Sequence, residues 1–280
     1  MEYLIATVIG TLAGLHTSTW GMYKDAPHEG FTWPKYFRST MVSTVLGLVA
    51  YIVIKSRGVH WDLTEPGGRF VYFGLIYCLE RALTEFWKYF IREEDQSKYF
   101  IPMQFGVMGK PMKDATKRIS IGMIVAICCV LVFYGVQALE TKFASTWPTW
   151  LVVVTVGSFF GWISAFGGAW KDAPIEGFET FKFFRSPGVA AGWAAVCAHF
   201  TPHWTVLAIA AEGFTVAAIE TYKTFCFPNK PRGKFAGKPI HHPEYLTFRK
   251  NFLPLYFGIW TIVLGHLVWA FLRPHIPFLM

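Results

Sequence analysis

Apolar residues along this chain gather into eight runs, at about 3–20, 38–54, 70–90, 119–139, 147–167, 187–201, 204–225 and 252–272. A helix rises 1.5 Å per residue, so about 20 apolar residues cross the hydrocarbon core of a bilayer. The second run (MVSTVLGLVAYIVI) and the sixth (GVAAGWAAVCAHF) fall short of that length, and they hold corresponding places in the two halves of the chain. The others reach it. The pattern predicts an all-α integral membrane protein of about eight transmembrane helices.

The polar stretches between the runs carry a duplication. Residues 21–39 read GMYKDAPHEGFTWPKYFRS and residues 168–186 read GAWKDAPIEGFETFKFFRS, identical at twelve positions. Self-similarity at a fixed offset marks a duplicated unit. Gly10 and Gly14 match Gly157 and Gly161 at the same offset of 147. Weaker matches follow in the same order. Ala82, Glu85, Lys88 and Phe90 correspond to Ala217, Glu220, Lys223 and Phe225, then Gly109-Lys110-Pro111 to Gly237-Lys238-Pro239. This order predicts two four-helix membrane repeats, 1–146 and 147–280. Four crossings per unit is an even number, so both units start from the same side and the repeat is parallel. GxxxG spacing lets helix backbones approach closely in lipid, and the first and fifth helices are expected to cross near the axis between the halves.

Charge sharpens the topology. Loops 21–40, 88–118, 168–186 and 221–251 together hold twenty Lys and Arg, including Lys230 and Arg232. The opposite side has five: Lys55, Arg57, Arg69, Lys142 and Arg273. By the positive-inside rule the motif loops face the cytoplasm or matrix, with both termini across a plasma membrane or organelle inner membrane. The net charge of +8 then points to anionic membrane lipids as partners rather than nucleic acid. Only 16% of residues are charged, against about 25% in soluble domains. The opening MEYLIATVIG has an acid and no basic residue, so the first run is expected to be retained rather than cleaved as a signal peptide. Five cysteines without a CxxC argue against a disulfide framework or zinc site and read as packing residues.

Candidate chemistry lies in the repeated motif and inside the runs. Asp25-Ala26-Pro27 followed by Glu29 resembles a helix start, with an Asp cap, Pro in the first turn and an acid at the positive helix end. Gly30 then permits a turn. Two readings stand for the motif. Its charges form local ion pairs, Asp25 or Glu29 with Lys35 or Arg38. Alternatively Lys24, Lys35 and Arg38, with Lys171, Lys182 and Arg185, form a cationic lining beside Asp25, Glu29, Asp172 and Glu176. Such a lining holds a phosphate or carboxylate, which guanidinium recognises in a bidentate way.

Within the runs sit Glu80, Arg81, Glu85, Glu212 and Glu220. Charges at membrane depth are costly and mark functional hypotheses. Glu85/Lys88 and Glu220/Lys223, three residues apart, are expected to pair internally. Glu80 and Glu212 are not at equivalent positions, which makes them candidates for a single asymmetric function. His16 and His266 read as packing residues. Pro202 separates His199 from His203, and His241-His242-Pro243-Glu244 is one short cluster. No metal site and no cofactor is expected. GxxxxGK[ST], GxGxxG, HExxH and GxSxG are all missing, so no catalytic residue is assigned.

These features favour a transporter-like protein that binds an anionic solute or lipid head group at its cytoplasmic face. Two alternatives remain open: a non-catalytic subunit of a larger membrane complex or homo-oligomer, and a membrane enzyme acting on a phosphorylated lipid.

Overall fold

The computed structural model describes residues 1–59, 61–228 and 233–273. Lys230 and Arg232 of the basic loop lie outside the described residues. The helices are α1 (Glu2–Glu29), α2 (Trp33–Ser56), α3 (Pro66–Phe86, extended by a π turn at Trp87–Ile91), α4 (Ala115–Phe143), α5 (Thr149–Val152), α6 (Phe159–Glu176), α7 (Thr180–Cys197), α8 (Trp204–Phe225), α9 (Tyr245–Phe248) and α10 (Leu253–Leu272). A π turn at Val153–Gly157 joins α5 to α6. The strands β1 (Gly106–Val107) and β2 (Lys110–Pro111) form a small antiparallel hairpin.

Five stretches are long and apolar enough to cross a membrane: Trp33–Ser56, Ala115–Phe143, Thr149–Glu176, Trp204–Phe225 and Tyr245–Leu272. They mark an integral membrane protein. α1 and α3 match them in length but are less apolar. For α3 the reason is its central place. Every residue from Phe70 to Tyr77 is buried, as are Glu80 and Arg81, so its polar side chains face protein rather than lipid.

The tightest crossing joins α3 to α8. A Cβ at Gly213 would lie 1.9 Å from the Gly74 carbonyl oxygen and 3.0 Å from the Cys78 nitrogen. Phe214 fills the surrounding space, stacked on Phe70 at 4.3 Å and on Trp193 at 4.9 Å between ring centroids. Small residues at a helix crossing allow this approach, and the rings recover dispersion contact.

The GxxxG glycines act differently from expectation. Gly10 and Gly14 pack on Ser43, Gly47 and Thr40 of α2, while Gly157 and Gly161 pack on Ala194, Ala190 and Pro187 of α7. Neither pair joins α1 to the fifth run. Short connections after Glu29 and Glu176 return the next helix along the previous one, and antiparallel neighbours joined this way claim the glycine faces first.

Two further expectations are corrected. The run at 38–54 lies within a 24-residue helix, because the motif residues Trp33–Phe37 form its first turns with Pro34 in a tolerated N-terminal position. Of the two runs read as short, only α7, with 18 residues, stays short. The KDAP segment also ends a helix instead of starting one. α1 runs through Pro27 to Glu29 and stops at Gly30 (φ 76°), and α6 runs through Pro174 to Glu176 and stops at Gly177 (φ 83°). The helical stretch before each motif continues unbroken into it. Proline deletes one N–H bond in the final turn, and glycine supplies the left-handed exit.

Candidate functional site

Long-range polar contacts concentrate at the end of the bundle that carries both motifs. Lys24 reaches Glu220 of α8 at 3.5 Å, and Lys223 binds the same carboxylate at 2.6 Å. Lys171 lies close enough to Glu85 and Asp172 to interact electrostatically with both. Glu85 is held by Lys88 at 3.1 Å and by Arg81. Lys24 and Lys171 thus each act on an acid of a helix remote in sequence, Glu220 of α8 and Glu85 of α3.

The motif carboxylates are engaged as well. Asp25 binds Lys234 at 2.8 Å. Glu29 binds Lys35, Lys234 at 3.3 Å and the Tyr99 hydroxyl, which donates at 3.1 Å. Lys182 binds Asp172 at 2.6 Å and Glu176 at 3.0 Å. Burial pulls the Lys234 ammonium down, but Asp25 and Glu29 outweigh it and hold the group above the ordinary lysine value. Lys234 was not among the sequence candidates. It comes from a loop about 200 residues away, and no periodicity announces such a pairing. Local pairing was the first reading of the motif, and Glu29–Lys35 and Glu176–Lys182 follow it.

The two motif arginines behave otherwise. Among the described residues neither Arg38 nor Arg185 enters a salt bridge, and each has a buried Nε with no hydrogen-bond partner. Arg38 sits over the Trp87 ring, 5.4 Å from its centroid. Arg185 lines a cavity.

Two cavities open at corresponding places. One, of about 210 Å³, lies between α6, α7 and α8 and is lined by Ser164, Asp172, Lys182, Arg185, Glu212 and Lys223, among others. The second, of about 70 Å³, lies between α1, α2 and α3, and its lining includes Thr17, Asp25, Lys35, Arg38, Arg81 and Lys88. Three exchanges explain the difference in size. Trp20 stands where the later copy has Gly167, Arg81 where it has Val216, and Tyr77 where it has Glu212. In the first half the guanidinium of Arg81 lies over Trp20 at 5.3 Å, and the Trp20 indole N–H donates to the Tyr77 hydroxyl at 2.7 Å. These side chains occupy the space that the second half leaves empty.

The chain matches no family model, no curated protein and no solved structure. The site is therefore read from its own chemistry.

Glu212 is the deep wall of the larger cavity. It is 5% exposed. One oxygen accepts from the Ser164 hydroxyl, and the other is buried without a partner. Ser164 was missed in the sequence. The signal available was that Thr17 occupies the matching position, a hydroxyl kept inside both apolar runs. Glu80 behaves differently. It is fully buried, with both oxygens unbonded and Arg81 at 3.9 Å, and it lines neither cavity. Of the histidines read as packing residues, His16 is buried among aromatic rings, whereas His266 is half-exposed beside Arg69. His16 stacks on Tyr256 at 4.2 Å and lies 3.2 Å from the Tyr77 hydroxyl. Among the described residues no cluster suited to a metal ion occurs.

Proposed function

We propose that this chain is an eight-span membrane protein of two like-oriented four-helix repeats, 1–146 and 147–280, and that it binds a phosphate- or carboxylate-bearing solute or lipid head group as part of a transporter-like role. The binding site is the cavity between α6, α7 and α8. The motif loops face the cytoplasm or matrix, as the basic loops require.

One observation carries this reading. Within a cavity whose lysines are already paired, Arg185 keeps a buried, unpartnered guanidinium nitrogen. A buried donor without an acceptor costs about 1–3 kcal/mol, and an anionic ligand removes that cost while gaining charge-assisted hydrogen bonds. The repeat reading draws further support from the matched pair of cavities and from the mutual exchange of Lys24–Glu220 and Lys171–Glu85 contacts between halves.

Thermal unfolding of the purified protein tests it. A ligand at 100 times its Kd adds about 2.7 kcal/mol, which raises Tm by roughly 5 °C for a chain of this size. Phosphate- or carboxylate-bearing compounds should produce such a rise in the wild type, and Arg185→Ala should abolish it while the protein still accumulates. A wild type unmoved by every such compound, or an Arg185→Ala protein stabilised as before, overturns the assignment.

A further inference from the structure

Two ionisable side chains in the larger cavity each keep a buried polar atom without a partner. Lys182 is taken by Asp172 and Glu176, and Glu220 by Lys223 and Lys24. Glu179 is exposed at the mouth and solvated. That leaves Arg185, with its buried free Nε, and Glu212, with its buried free Oε2. They do not bond to each other. Glu212 on α8 meets Ser164 of α6, and three residues earlier on α6 Gly161 packs on Ser186 and Pro187, next to Arg185 on α7, so the two side chains start from levels about 5 Å apart along α6. The cavity thus has an acid on its α8 side and a base on its α7 side, with Thr215, Val216 and Ile219 also in its lining.

We propose that this cavity receives a zwitterion, its ammonium against Glu212 and its anionic group against Arg185. The inference rests on the anion reading above and extends it to the other end of the ligand. A carboxylate inside a membrane is costly alone, and an ammonium supplied by the ligand both neutralises it and occupies its open oxygen. The first half makes the contrast. There Tyr77 stands at the Glu212 position, so the smaller cavity lacks that deep acid, its Asp25 is taken by Lys234, and Trp20 and Arg81 fill the space.

The flank of this cavity is open. Ser164 and Gly167 of α6 are exposed, and a Cβ at Gly167 or Gly168 would meet nothing within 4 Å. α10 packs on both α1 and α3 of the first half, whereas α4 packs on α8 and the π turn after α3. An ethanolamine phosphate group on a lipid and the same group free in solution share the required chemistry, and the test separates them.

The experiment compares ethanolamine phosphate with ethyl phosphate, which differ by the ammonium, on the intact protein in nanodiscs of neutral lipid. In parallel, phosphatidylethanolamine is compared with phosphatidic acid by competitive retention. The wild type should prefer the amine-bearing member of a pair at least tenfold. Glu212→Gln should reduce the preference below threefold while keeping ethyl phosphate or phosphatidic acid bound, and Glu212→Asp should restore part of it. Preference in the free pair identifies a solute, and preference only in the lipid pair identifies a head group; either supports the zwitterion. Equal affinity within both pairs for the wild type overturns the inference and leaves the anion site standing, with no variant needed. A preference that survives Glu212→Gln also overturns it. Failure of all four compounds to bind removes the anion reading together with the inference.

Discussion

Gly213→Ala offers a direct test of the crossing on which both cavities depend. The new methyl carbon would stand 1.9 Å from the Gly74 carbonyl oxygen, 2.7 Å from its carbonyl carbon and 3.0 Å from the Cys78 nitrogen. That is about 1.5 Å short of ordinary contact, and every obstructing atom is backbone, so no side chain can swing aside. α3 and α8 must separate. Overpacking usually costs about 1–3 kcal/mol, and a gap of even 1 Å forfeits up to about half of the dispersion between the rings stacked beside the crossing. The cost is therefore placed at about 3 kcal/mol, which lowers Tm by roughly 5 °C. Thermal unfolding followed by tryptophan fluorescence reads it. Gly192→Ala is the control: its Cβ meets nothing within 4 Å, and alanine favours the helix by about 1 kcal/mol. If Gly213→Ala melts within about 2 °C of the wild type, the helices do not touch as described.

Two further outcomes can be checked. Arg38→Ala should leave ligand stabilisation unchanged, because the smaller cavity is filled by its own side chains, and should cost about 0.5–2 kcal/mol through the lost contact with Trp87; loss of ligand response in this variant would move the site to the first half. Lys234→Met should destabilise by a few kcal/mol near neutrality. The folded-state value of Lys234 is raised, so its contribution is complete below the ordinary lysine value of 10.5 and fades as pH climbs through the raised one. Denaturant titrations of both proteins should show their stability gap closing only above about pH 10.5; a gap that closes on the acid side refutes the pairing.

Much of the helical layout was legible in the residues. Each apolar run falls largely in helical structure, the one at 147–167 being divided among α5, the π turn and α6, and the Glu85/Lys88 and Glu220/Lys223 pairs form as their spacing implies. Errors arose where a local signal had two meanings. Asp-Ala-Pro before Glu suits a first turn, but the unbroken helical stretch leading into it made it a last one. GxxxG announces close packing without naming the partner, and chain connectivity chose the adjacent helix. What stayed invisible was pairing at long range: Lys24 with Glu220, Asp25 with Lys234, and the Glu140 carboxylate of α4, which accepts from the Trp204 N–H at the start of α8 at 3.0 Å. Such contacts leave no period in the sequence. The asymmetry between the cavities could have been read from Trp20/Gly167 and Tyr77/Glu212, but only once the fold had placed those positions side by side.

The bond between Lys24 and Glu220 spans 196 residues, and this has a cost in time. A ribosome adds about 5–20 residues per second, so Lys24 waits roughly 10–40 s after its own synthesis before its acid exists. Throughout that interval the nascent first half carries an unmatched cation where the finished molecule has none. Truncation anywhere before α8 makes the condition permanent, and such fragments are expected to be cleared by quality control even though their own helices are complete.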